Sequence, residues 1–411
     1  MNLVQVTNES IVIGQPLAFS LRDAAGALLA RKGYVIVSRD DLEAVRGRGN
    51  GFFVDVSESE QHQKAFVGKL HELVRDERPL GKIAQAQLTT GELSPPRNRT
   101  LGDELDWLDL QVQGNRLLRD LDGGHFVDAL ERLHARLTQQ SRRNPDGALF
   151  ALFHLAASEI QLYSATHSML VSVMCSLAAR DVLGWPQEME DSLCKAALTM
   201  NIAMTEIQDR LAAQSDPPTP AQRELIERHA SRSVGLLRGF GMTDADCLEA
   251  VRDHHNTGPG ALGPRSRSER MARLLQRADK FAAHLSPRAS RRPDSAAAAM
   301  QAIYFDEQRA IDEAGAALIK AVGVYSPGSL VRLANQEIGV VVRRGANTTM
   351  PRVAVLVNPE GIATGEHAIR DTSARDCRIV SGVAWGECKV KIQLDRMLAL
   401  TSGPAASSRS W

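Results

Sequence analysis

The chain has 411 residues, 43% of them hydrophobic, and its 49 basic and 49 acidic side chains leave no formal net charge. Length allows about two to four domains, the apolar share excludes a disordered chain, and the charge balance excludes a global field for nucleic acid or an anionic membrane. Five scattered cysteines without a CxxC pair fit buried thiols in a reducing cytoplasm, and no window nears the roughly 18 apolar residues of a membrane span, so a cytoplasmic protein is expected.

Residues 1–58 read as a small β-rich module, with strands broken at Asp23-Ala24-Ala25-Gly26 and Lys32-Gly33 and one helix expected over 40–48. Residues 59–145 read as a polar helical connector that Pro95 and Pro96 must interrupt. From 146 to 325 apolar residues recur at three and four, which predicts an all-α region of about six to eight helices. Thr219, Pro220 and Gln222 supply a helix start with a capping box, Gly241 ends that helix, and Thr243 with Asp246 begins the next. Over 326–400 the period falls to two in SLVRLANQEIGVVVRR, RVAVLVNP and KVKIQL, which predicts a small β unit, and 401–411 reads as a flexible tail.

The stretch that organises the rest is VRDHHNTGPGALG, residues 251–263. Its two adjacent histidines close an expected helix, about 100° apart around the axis, and both can lean toward one centre if a metal sits over that end. The same region holds His167 in YSATHS, His229 in IERHAS, and Asp279 in RADKF, each on a separate expected helix or helix end. A bundle that gathers ligands into its core has this distribution. Each residue also has a plainer role open to it: His229 as a packing residue, His167 as a hydrogen-bonded core histidine, Asp279 as a solvated acid beside Arg277 and Lys280. His154 and His284 read as packing or surface residues, and Met169, Met174, Met200 and Met204 as adaptable core filling.

In order and spacing, these residues resemble the HD-GYP family of metal-dependent phosphohydrolases over about residues 161–293, and more weakly through VGVYSPGSLVRL. The resemblance implies a multidomain α+β protein, with a central all-α HD-type bundle between small N- and C-terminal β-rich units. It further implies a centre of two or three ions, commonly iron or manganese, that hydrolyses the bacterial second messenger cyclic di-GMP. His229, His254 and His255 match the ligands of one metal, and His167 and Asp279 match ligands of another.

The sequence departs from the family at the His-Asp pair and the lysine three residues on, where it carries Met200, Asn201 and Met204. A thioether binds such ions weakly, and a neutral amide offers no anionic bridge between two cations. The glutamate and Gly-Tyr-Pro turn that follow the family's double histidine are also replaced, by NTGPGA. The expectation is therefore one divalent ion, iron or manganese, at reduced occupancy, or none. No intact catalytic residue is expected.

Two functions remain open, with a purely structural scaffold as a third. The first, favoured one is a degenerate regulatory module that binds cyclic di-GMP or a signalling protein. The second is a phosphodiesterase with an altered metal set. Phosphate-gripping arginines expected by position are Arg252, Arg273, Arg277 and Arg292.

Overall fold

The computed structural model describes residues 107–119, 123–158, 162–286, 296–388 and 392–402, parts of the first 55 residues and a few isolated positions. Expectations for 56–106, Arg292 and 403–411 lie outside the described residues. Contacts divide the chain into two units, Met1–Leu108 and Asp109–Trp411, and each is described by itself.

In the first unit, β1 (Leu3–Val6), β2 (Leu21–Arg22), β3 (Leu28–Ala30) and β4 (Phe52–Asp55) form an antiparallel sheet in the order β1-β4-β2-β3. The expected turn joins β2 to β3. Asp23 accepts from the Ala27 amide at 2.8 Å, and Gly26 takes a positive φ of 88° that side chains with a Cβ rarely adopt. Leu42 and Val45, in the stretch expected to be helical, are helical and buried with Ile11, Leu21, Ile36 and Phe52.

The second unit begins with the helices α1 (Trp107–Arg119) and α2 (Phe126–Arg143), which lie in part of the expected connector. α2 buries Phe126, Leu130, Leu133 and Leu137, a stripe at helical spacing, and packs on the helices that follow. These are α3 (Pro145–Ser158), α4 (Tyr163–Leu177), α5 (Gln187–Thr199), α6 (Thr205–Ala213), α7 (Pro220–Gly239), α8 (Ala245–Asp253), α9 (Arg267–Leu285), α10 (Ala296–Tyr304) and α11 (Glu313–Val322). Nine helices therefore stand, among the described residues, where about six to eight were expected. The excess comes from α6, α8, α10 and α11, each only nine or ten residues long, which short turns separate.

Local chemistry explains the boundaries. Thr219 caps α7 with a full capping box that includes Gln222, as expected. α8 is capped by Asp244, whose side chain accepts from the Cys247 amide at 3.0 Å, one residue later than the expected start at Thr243. A carboxylate at this position also complements the helix dipole, which a threonine hydroxyl does not. Every residue of α4 is buried, so this helix is the axis of the bundle, with α3, α5 and α9 packed around it.

The C-terminal sheet contains β5 (Leu330–Leu333), β6 (Ile338–Arg343), β7 (Arg352–Val357), β8 (Ile369–Asp371) and β9 (Ile379–Val383), antiparallel in the order β8-β7-β6-β5-β9. KVKIQL was expected to be a strand, but its Val390 and Ile392 lie outside any strand and pack against the sheet core. Alternate burial produces a two-residue period without a hydrogen-bonded ladder. The chain then enters α12 (Leu394–Thr401). The sheet is buried on both faces, with Leu330, Val340, Val342 and Leu356 on one and Val331, Leu333, Val341 and Val353 on the other. Phe150 of α3 and Met397 of α12 belong to the first of these cores. The architecture is α+β, an all-α helical bundle with small β-rich units toward the N- and C-terminal parts of the chain. Among the described residues no helix is long and apolar enough to cross a membrane.

Candidate metal centre

Three histidines, one from the middle of α7 and two from the C-terminal end of α8, converge. His229 lies on α7 and is 3% exposed, His254 caps the C-terminus of α8 and is fully buried, and His255 is exposed. One ring nitrogen from each lies within 4.8 Å of the others. The Nδ1–H of His229 donates to the Ile226 carbonyl at 2.5 Å, and the Nδ1–H of His254 donates to the Val251 carbonyl at 2.7 Å. With a proton on each Nδ1, both Nε2 atoms are acceptors, and they face one another at 3.3 Å.

Two lone pairs at that separation repel unless a cation lies between them. A proton is poorly suited, because burial and the neighbouring His255 push His254 down to about 3. Burial, and less strongly His255, also lowers His229. Neutral imidazoles with Nδ1 fixed by a backbone carbonyl are the form in which histidine binds metals. The donor set thus fits one divalent ion of the iron, manganese or zinc type.

His167 and Asp279 form a second pair. His167, on α4, is 1% exposed and places Nε2 2.7 Å from Asp279 Oδ1 on α9, while Tyr163 stacks on its ring at 5.6 Å. Burial alone would raise the Asp279 carboxyl, but the hydrogen bond from His167 and the nearby His254 and His255 outweigh it and hold the group well below the carboxylate range. His167 Nδ1 is buried with no hydrogen-bond partner among the described residues. Within those residues, the three histidines are the group of three or more such side chains whose ligand atoms lie mutually close enough to share an ion, and this pair is outside it.

Met200 is fully buried at the C-cap of α5, and Asn201 and Met204, both half-buried, flank the next turn. The Ala203 amide in that turn donates to Ser233 Oγ at 3.2 Å. Ser233 lies one turn beyond His229 on α7, so the turn is beside the face that carries His229. The turn of Met200, Asn201 and Met204 thus brings neither an imidazole nor a carboxylate to this side of His229.

Of the arginines expected by position, Arg252, Arg273 and Arg277 have other partners. Arg252 is exposed and pairs with Asp253 at 2.7 Å. Arg273, fully buried, donates to Asp312 at 2.9 Å through Nε and to Glu307 at 2.9 Å through Nη2. Arg277 donates to Glu307 at 2.9 Å and is 3.0 Å from Asp312. The glycine-rich turn is organised by Arg265, whose guanidinium donates to the carbonyls of Gly258, Pro259, Gly260 and Ala261 at 2.6–3.3 Å. An open pocket of about 350 Å³ adjoins the triad and is lined by His255, Arg277, Asp279, Lys280, His284 and Glu307 among others. Sequence reasoning missed Glu307 and Asp312, which lie between α10 and α11 and engage the arginines of α9. Lys280 and His284, at helical spacing beside Asp279, did carry a signal.

The bundle brings histidines from neighbouring helices together, and the sequence resembles the HD-GYP family. No family model matches the chain. Among curated proteins it is similar to Cyclic di-GMP phosphodiesterase PA4108 of Pseudomonas aeruginosa, 28% identical over 251 residues, which cover 58% of this chain and 57% of that protein. The chain thus spans little more than half the length of this relative. Among solved structures, Bd1817, a HDG"Y"P protein from Bdellovibrio bacteriovorus, aligns over 78% of this chain and 99% of that one, at 13% identity and a TM-score of 0.38.

Proposed function

We propose that the chain is a degenerate HD-GYP-type regulatory module of cyclic di-GMP signalling. It holds one divalent ion on His229, His254 and His255 and binds the nucleotide in the adjoining pocket, with hydrolysis lost or strongly impaired. The observation that carries this reading is the face-to-face approach of two acceptor nitrogens at 3.3 Å, beside a turn with Met200 and Asn201 in place of further ligands. An ion on these imidazoles supplies Lewis-acid polarisation of a phosphate oxygen. His229 and His254 hold their lone pairs ready through their carbonyl partners, and Asp279 keeps its charge through His167. What Met200 and Asn201 do not offer is a carboxylate to bridge a second ion.

The name of the Pseudomonas relative supports a second reading, an active phosphodiesterase with an altered metal set. Purified protein supplied with manganese or iron(II) should bind cyclic di-GMP in calorimetry, yet convert it no faster than the no-protein control. Turnover near the ~10 s⁻¹ of ordinary enzymes would replace the first reading with the second.

A further inference from the structure

Lys280 stands apart from the arginines around it. Arg273 and Arg277 are buried and engaged by Glu307 and Asp312, whereas Lys280 is exposed and has no ion-pair partner among the described residues. It follows Asp279 on α9 and lines the same pocket as His255 of the triad. His284 lies four residues further along α9, on the same helix face, and lines the pocket too.

Among the described residues neither carboxylate of the pocket is ion-paired with Lys280. Asp279 Oδ1 is engaged by His167, and both oxygens of Glu307 are held by Arg273 and Arg277. With an ion on the triad, the pocket would present cations from two sides, the metal and the ammonium. That pattern suits a phosphate, whose oxygens can face both. The place the family gives to a lysine after its His-Asp pair is filled here by Met204.

We propose that Lys280, with the His284 imidazole one turn along, forms the anion-holding wall of this pocket. It grips a phosphate of the bound nucleotide and positions it beside the triad. This rests on the reading of the pocket as the ligand site, and the probes separate the two. Cyclic di-GMP and inorganic pyrophosphate are titrated by calorimetry, in manganese, into the full chain and its Lys280→Ala and Lys280→Arg variants.

A charge-assisted contact predicts roughly ten- to hundredfold weaker binding of both probes by Lys280→Ala and recovery to within a few-fold in Lys280→Arg. A side chain that only supported the helix would not show that rescue. Binding of pyrophosphate alone, still dependent on Lys280, upholds the anion wall and removes the cyclic dinucleotide as its ligand. Cyclic di-GMP binding unchanged by Lys280→Ala overturns the wall and leaves the ligand in place. Failure of both probes to bind overturns the wall as well.

Discussion

His154 lies between Phe150 and Trp385, with ring centroids at 6.3 and 5.6 Å, and burial lowers its imidazole to about 4. An unfolded chain takes up this proton near the ordinary value of 6.5, whereas the folded one resists until about 4. Unfolding is therefore favoured progressively as pH falls through that window. The contribution is intact above about pH 6.5, and its loss by pH 4 is on the order of 3 kcal/mol. In urea titrations, His154→Gln should lose less stability between pH 7 and pH 4 than the unaltered chain; identical losses would remove His154 as the cause. At this scale the candidate ligand histidines were legible because imidazoles in family order are distinctive residue types. His154, expected in a packing or surface role, packs against Phe150 and Trp385. The engagement of Arg273 and Arg277 was not legible, because Glu307 and Asp312 lie 30 or more positions away and nothing local marks them as partners.

Among the elements, α11 is joined to α9 through one side chain. Asp312 Oδ1 caps α11 by accepting from the Gly315 amide at 2.8 Å, and Oδ2 accepts from Arg273 and Arg277. α10 completes the junction so closely that a Cβ on Gly315 would come within 1.9 Å of the Ile303 carbonyl oxygen. Asp312→Ala leaves two buried guanidinium groups with Glu307, itself half exposed, as their remaining carboxylate partner, and removes a cap. The expected destabilisation is about 3–5 kcal/mol, read from the urea midpoint and slope. A loss below 1 kcal/mol, on the scale of an exposed pair, would show that Asp312 is not the anchor. Helix starts were legible where a capping box was complete, as at Thr219 and Gln222, and shifted by one residue where Asp244 competed with Thr243. KVKIQL misled because two-residue alternation reports burial on alternate sides and does not by itself specify strand pairing.

Across the second unit, helices and sheet share a core. Phe150 of α3 lies among Leu330, Val340 and Leu356, and Arg344 bridges to Asp146 at the start of α3 with a 2.5 Å hydrogen bond. The β unit was legible from its period, but its shared packing was not, since nothing in a local pattern states which helix covers a sheet. The bundle in turn brings His229, His254 and His255 together and leaves His167 and Asp279 as a separate pair. The central claim is that this arrangement holds one ion. Its most direct test is the metal content per chain, by plasma mass spectrometry after equilibration with manganese or iron(II) and removal of the excess. Stoichiometry should approach one in the unaltered protein and fall to background in His254→Ala. Two ions per chain, or none in the unaltered protein, would contradict it.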